Sequence, residues 1–257
     1  KLISSGTTRG LPWLALERVH GVSLTRILRC GPLPMQEALL VLHDLAQALA
    51  TCHAGEVLHG DLAPGNVLVD RVGSVKLIDF GLATYPAGPP RMPGAGTPAF
   101  LDPDAALGQE RRPESDLFGL VLLWIRMRSG LPPWGAGAAA DQRRRAAAGA
   151  LDPTSLTASM QGLPRELALT LHTILSTKNT APDALAPDAR TLATQIAALV
   201  SMARGSLRQR VCALPEEAAP LLEAAEDRGE QLTDPTGETV TLVGESSAVV
   251  ELASDLD

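Results

Sequence analysis

Between Met35 and His53, the apolar residues Leu39, Leu42, Leu45, Ala46 and Leu49 recur at three- and four-residue steps. That spacing places them on one face and predicts a long amphipathic helix. Upstream, the short apolar run Leu11–Glu17 reads as a strand and Arg18–Gly21 as a loop. Ser23 then reads as the N-cap of a helix over Leu24–Leu28, and Cys30-Gly-Pro-Leu-Pro34 breaks the chain. Further on, Asn66–Asp70 and Val75–Asp79 are short β-rich runs joined by Arg71-Val72-Gly73-Ser74, which predicts a hairpin. The segment Glu114–Ser129 is apolar nearly all round, predicting a buried helix that Gly130-Leu-Pro-Pro133 stops. Weaker helices are expected at about 139–149, 164–176 and 188–203. Residues 82–113, rich in Gly and Pro and without a period, read as a long loop, and 178–187 as a shorter one.

Charge changes the picture near the C-terminal end. Of the formal net charge of −7, residues 206–257 hold twelve acidic and three basic side chains, whereas 1–205 hold seventeen and nineteen. The tail from Ser206 therefore reads as an acidic linker or partly disordered extension. Its candidate elements are a helix over 214–225 and strands at 239–243 and 249–252. No basic patch suits a nucleic acid, and Arg143-Arg144-Arg145 reads as a solvated helix face. Aromatic residues make up only 3% of the chain, so the core must rest on Leu, Ala and Val. Three widely spaced cysteines with no Cys-x-x-Cys suggest neither disulfides nor zinc, and a cytoplasmic setting is expected. The longest apolar stretch, Leu117–Ile125, ends at Arg126 and Arg128, too short to span a membrane.

The candidate chemistry lies in residues 59–81, HGDLAPGNVLVDRVGSVKLIDFG. Asn66 stands five positions after Asp61, and Asp79-Phe80-Gly81 begins eighteen positions after it. Phosphoryl transfer needs one carboxylate at the nucleophilic hydroxyl, and an oxygen-rich pair to hold Mg²⁺ against the phosphates of ATP. Asp61, Asn66 and Asp79 are the right residue types, and the hairpin brings Asn66 and Asp79 to one end. The stretch resembles the catalytic core of eukaryotic-like kinases. Its local spelling, His-Gly-Asp-Leu-x-Pro-Gly-Asn, is similar to aminoglycoside and choline kinases. Downstream segments resemble protein kinases instead. Gly96-Thr-Pro-Ala-Phe-Leu-Asp-Pro-Asp104 looks like the end of an activation segment, and Ser115-Asp116-Leu-Phe-Gly-Leu like the start of the buried helix behind the catalytic loop. Gly130-Leu-Pro-Pro-Trp134 and Asp188-Ala-Arg190-Thr resemble later segments of that family.

The resemblance, to bacterial-type serine/threonine protein kinases, implies an α+β, protein-kinase-like fold. Residues 1–16 would end the small lobe, 17–21 form the hinge and 22–205 the helical lobe, with 206–257 as tail. It implies ATP and Mg²⁺ as cofactors and proteins bearing Ser or Thr as partners. Asp61 would orient or deprotonate the substrate hydroxyl, and Asn66 and Asp79 would ligate Mg²⁺. Glu17 and Val19 would offer backbone groups to adenine, and Leu68 an apolar side chain. His59, Phe80 and Gly81 would be structural, Phe80 within the core. Thr97 would bond Asp61, Asp116 the backbone of the His-x-Asp turn, and Arg190 the carboxylate of Asp104.

The chain departs from the family at several places. Gly60 stands where protein kinases have an Arg that meets an activation-loop phosphate, so weak dependence on that phosphate is expected. Ala63 replaces the usual Lys. A Gly-rich loop and a Val-Ala-x-Lys strand are absent before residue 11, and Lys1 is not an initiator Met. A fragment of a longer kinase, inactive alone, is therefore expected. A pseudokinase scaffold and a small-molecule phosphotransferase are the alternatives.

Overall fold

The computed structural model describes residues 2–8, 11–86, 88, 94–176, 187–200, 203–214 and 249–252. In chain order its elements begin with β1 (Leu2–Thr8), β2 (Leu11–Leu16), β3 (Gly21–Ser23), α1 (Leu24–Arg29) and α2 (Met35–Ala54). Next come β4 (Val67–Asp70), β5 (Val75–Leu77), α3 (Pro103–Ala106), α4 (Pro113–Ser129) and α5 (Ala139–Ala148). The last are α6 (Pro153–Met160), α7 (Arg165–Ser176), α8 (Ala189–Ala197), α9 (Ala203–Cys212) and β6 (Val249–Leu252). They fall into two compact units, one of 1–20 with 216–257 and one of 21–215.

The first unit holds an antiparallel sheet of order β1-β2-β6, with Thr8 opposite Leu11 and Leu16 opposite Val249. The expected strand at 249–252 thus pairs with β2. The helix expected over 214–225, the strand at 239–243 and most of the acidic tail lie outside the described residues.

The second unit joins a small antiparallel sheet, β3-β4-β5, to the helices. The Ser23 side chain caps α1 by accepting the Arg26 N–H at 3.3 Å, and Leu24, Ile27 and Leu28 are buried beneath it. Helix α2 buries the expected stripe and also Ala38, Leu40 and Val41, because it packs against α4, α8 and α9 together. At the centre, α4 buries every residue from Leu117 to Ile125 and also Met127. Such a helix is apolar all round because it has no solvent face over that stretch. Gly130, at φ 70°, ends it in the left-handed conformation.

The structure departs from the sequence pattern in three places. The loop expected over 82–113 contains a 3₁₀ turn at Pro98–Phe100 and then α3, capped by Asp102 through the amides of Asp104 (3.0 Å) and Ala105 (3.1 Å). A four-residue helix is too short to show a period. Helix α6 was unexpected, although Asp152 before Pro153 is a start signal, and its carboxylate accepts the Ser155 N–H at 2.8 Å.

The third departure moves a boundary. The helix expected over 188–203 is the shorter α8, which ends at Ala197, and a further helix, α9, runs from Ala203 through Ser206, where the tail was expected to begin. Its Ala203, Leu207 and Val211 recur at four-residue steps and are buried. On α2, Glu37 is buried too and accepts bonds from Arg210 Nε at 2.6 Å and from the Ser206 hydroxyl. Helix α9 therefore belongs to the helical unit, and the acidic segment starts after it.

Candidate active site

The site is built around one buried carboxylate. Asp116, in the first turn of α4, accepts the His59 N–H through Oδ2 at 2.9 Å and the Gly60 N–H through Oδ1 at 2.8 Å. His53 Nε2, near the end of α2, donates to Oδ2 at 3.0 Å. A buried anion needs such donors, and two successive amides with one ring N–H supply them. The turn is further fixed by buried His59. Its Nδ1 accepts the Asp61 N–H at 3.3 Å, which assigns the ring proton to Nε2, and Nε2 donates to the Ile78 carbonyl at 3.0 Å. Gly60 has φ 75°, a left-handed conformation that glycine adopts without a Cβ clash.

Asp61 then emerges half-buried. Its Oδ2 accepts from Asn66 Nδ2 at 3.0 Å, and its Oδ1 accepts the backbone N–H of Thr97 at 2.8 Å. Asn66 Nδ2 also donates to the Asp61 carbonyl at 2.8 Å. Both partners of that amide are acceptors, so its NH₂ must face them and its Oδ1 faces away. The Asn66 carbonyl accepts the Ile78 N–H at 3.0 Å, which ties the Asn66 end of the hairpin to the residue before Asp79. Asp79 is exposed and sits at φ 62°, a conformation that aspartate tolerates better than most residues. Its Oδ1 accepts the Gly81 N–H at 3.0 Å. On β4, Val67 and Val69 are buried while Leu68 between them is half-buried, since alternate side chains leave opposite faces of a strand. Glu17 is exposed and Val19 half-buried in the irregular segment after β2.

A cation beside Asp61, and a carboxylate paired with it electrostatically, were not expected from sequence. Arg111 donates from Nη2 to the Ala95 carbonyl at 2.5 Å. Burial pulls its guanidinium below the usual range, while the charges of Asp102, Asp116 and Asp61 oppose that shift. Burial likewise pushes the Asp102 carboxyl up, against the amides of Ala105 and Asp104 and the charge of Arg111. No pattern of period or motif marks Arg111, because its hydrogen-bond partner is a backbone carbonyl.

A protein kinase domain model matches residues 1–212. The chain belongs to the protein kinase family. Among curated proteins it is 36% identical over 126 residues to serine/threonine-protein kinase PknA of Mycobacterium tuberculosis, covering 48% of this chain and 29% of that protein. It is 36% identical over 133 residues to serine/threonine-protein kinase PkaA of Streptomyces coelicolor, covering 49% and 24%. It is 33% identical over 143 residues to serine/threonine-protein kinase pkn2 of Myxococcus xanthus, covering 52% and 17%. The matched stretch thus spans less than a third of each of these relatives. The protein-kinase-like α+β fold, largely the helical lobe, agrees with the architecture above.

Three expectations drawn from the family pattern need correction. Thr97 meets Asp61 through its backbone amide, and among the described residues no bond joins the Thr97 hydroxyl to that carboxylate. Asp104 pairs with Arg112 at 3.3 Å and not with Arg190. Arg190 is exposed in the first turn of α8, where it lies near Asp188, and Asp104 is one methylene shorter than the Glu usual at that place. Arg112 is itself more than half exposed, so the substitute pair contributes little. Phe80 is not in the core. It is 46% exposed and meets the His59 ring edge-on at 4.8 Å, a contact that covers only one side of it.

Proposed function

We propose that this chain is the catalytic core of a serine/threonine protein kinase that transfers the γ-phosphoryl group of ATP to a protein hydroxyl. The observation that carries the reading is the double hold on Asp61: Asn66 from the metal side and the Thr97 amide from the substrate side. Asp61 would orient the Ser or Thr hydroxyl in line with the γ-phosphorus and take its proton as the new P–O bond forms. The bond from that phosphorus to the β–γ bridging oxygen breaks, and ADP leaves.

The residues fit Mg²⁺. Asn66 turns its amide oxygen away from Asp61, and Asp79 is exposed with Oδ1 bonded only along its own backbone among the described residues. Two hard oxygen donors, completed by phosphate oxygens and water, suit that ion. When bound, it would screen the negative charge of the phosphates and hold them for transfer. In the same reading Glu17 and Val19 present backbone groups to adenine and Leu68 an apolar side chain, on the strength of the family pattern. Protein substrates follow from the same resemblance. No helix among the described residues is long and apolar enough to cross a membrane.

The test is transfer of labelled γ-phosphate by the intact protein to a Ser/Thr peptide library, with Mg²⁺ present. Asp61→Asn and Asp79→Asn should each lower kcat by about 100-fold or more. Transfer to aminoglycosides or choline instead of peptide would overturn the reading. So would undiminished transfer in Asp61→Asn.

A further inference from the structure

We propose that Arg111 is a built-in clamp that holds the end of the activation segment on Asp61, in place of a phosphate-dependent contact. The inference rests on the kinase reading above and identifies a positioning residue for that reaction. Arg111 Nη2 donates to the Ala95 carbonyl at 2.5 Å, and two residues later the Thr97 amide donates to Asp61 Oδ1 at 2.8 Å. The residue between them, Gly96, has φ 120°. A Cβ there would stand 2.9 Å from Arg111 Nη2, 3.0 Å from Leu101 Cδ2 and 3.4 Å from Asp61 Oδ1. At that φ any other residue is strained, and its Cβ would press on Arg111 Nη2 and Leu101 Cδ2 while only touching Asp61.

The anchor of the clamp is rigid. Arg111 stands two residues before α4, the buried helix that also carries Asp116. Arg111 is half-buried, and its guanidinium feels the charges of Asp102, Asp116 and Asp61 without a direct ion pair to any of them. Those charges favour the cation there, and with no carboxylate in bonding distance its directional N–H is left for the Ala95 carbonyl. Gly60, meanwhile, offers no side chain to receive an activation-segment phosphate. The cation that orders the segment therefore comes from the entry to α4, and its target is a backbone carbonyl that is always present.

The experiment uses the intact protein with Arg111→Met, Arg111→Lys and, as a second route, Gly96→Ala. Three readouts are taken: amide hydrogen exchange at Thr97 and in α2, kcat with KM for ATP, and wild-type activity before and after phosphatase treatment. Arg111→Met should speed Thr97 exchange about tenfold while α2 amides stay unchanged. It should lower kcat about 10- to 100-fold with KM for ATP within about twofold, as expected for a misplaced segment. Arg111→Lys, which keeps charge and one donor, should recover most of both losses. Gly96→Ala, which leaves the arginine in the sequence but pushes on its guanidinium, should reproduce the exchange change and covers the case of an Arg111→Met protein that does not fold. Phosphatase treatment should leave wild-type kcat unchanged.

Unchanged Thr97 exchange in the Arg111→Met and Gly96→Ala proteins would overturn the clamp. So would loss of wild-type activity on dephosphorylation. An intact protein that transfers no phosphate at all would defeat the kinase reading alone, since exchange at Thr97 still decides whether Arg111 holds the segment.

Discussion

Replacing Asp116 with Asn tests whether the turn before Asp61 is held by a charge. The substitution keeps the shape of the side chain and removes one acceptor. In the structure Oδ1 serves the Gly60 amide, and Oδ2 serves the His59 amide and His53 Nε2. Whichever oxygen becomes the NH₂ group, one backbone amide then faces another donor inside a buried site. A buried donor left unsatisfied costs about 1–3 kcal/mol, and turning the surviving charge-assisted bond into a neutral one costs about 1 kcal/mol more. Asp116→Asn should therefore destabilise the chain by about 2–4 kcal/mol. Asp116→Ala orphans both amides and should cost about 2–6 kcal/mol by the same count, and more than Asn. Against a typical domain stability of about 5–15 kcal/mol, either change is large. Urea titration followed by circular dichroism at pH 7 reads the midpoint, with the slope showing whether unfolding stays two-state. The exposed Glu114→Gln, two residues away in the same turn, should shift stability by less than about 0.5 kcal/mol and serves as the control. A loss below about 1 kcal/mol in Asp116→Asn, or an Ala variant no worse than Asn, would refute the hub.

Other outcomes follow from the same structure. Ending the chain at residue 205 should destabilise the helical unit by at least about 3 kcal/mol relative to ending it at 215, because buried Leu207 and Val211 are lost and Glu37 is left without Arg210. Urea midpoints of the two chains measure this, and equal midpoints would restore the boundary at 206. Asp188 accepts the Thr191 amide at 2.7 Å, and that bond holds its carboxyl below the usual range. A depressed carboxyl contributes stability above its unfolded-state pKa and loses it as pH falls through the folded-state value. Asp188→Ala should thus cost about 0.5–2 kcal/mol at pH 7, and the gap from wild type should shrink on acidification. A gap that grows as pH falls would contradict this. Thr84→Ala should leave phosphotransfer by the intact protein within about twofold, since the Thr84 contacts to Leu58 are backbone bonds and the clamp needs no phosphate. A large kcat loss would argue for phosphorylation at Thr84.

What was legible in the sequence divides by physical scale. Helices α2 and α4 could be read because each buries long stretches, and burial over several turns imposes a period on residue choice. The hairpin and the Asp61, Asn66 and Asp79 constellation could be read because their spacing is dictated by the turn that joins them. Asp116 was legible only through the family resemblance of Ser115-Asp116-Leu-Phe-Gly-Leu, which places an Asp at the start of the buried helix. Short or unpatterned devices could not be read. Helix α3 is a single turn, and α9 was hidden because a charge count over 206–257 pooled Arg208 and Arg210 with the acidic residues beyond them. The family resemblance placed Phe80 in the core, yet its neighbours here leave it half exposed. Arg111 was invisible because a bond to a backbone carbonyl sixteen residues away asks nothing of the partner's side chain.

The three site residues are held unequally, and the difference bears on how they would act. Asp61 is fixed by Asn66, by the Thr97 amide and, through the preceding turn, by Asp116 and His59. Asp79 is exposed, and the bond it makes is to the amide two residues on. A group that must align a hydroxyl with a phosphorus loses rate steeply with small displacements, so rigidity is useful there. A carboxylate that must meet an entering cation and its phosphates has less need to be fixed beforehand. The rigid part traces back to one element: α4 carries Asp116 in its first turn, and Arg111 lies just ahead of it. A change that shifts the start of α4 should therefore disturb the His59–Asp61 turn and the Ala95–Thr97 contact together, while leaving Asp79 and its local bond in place.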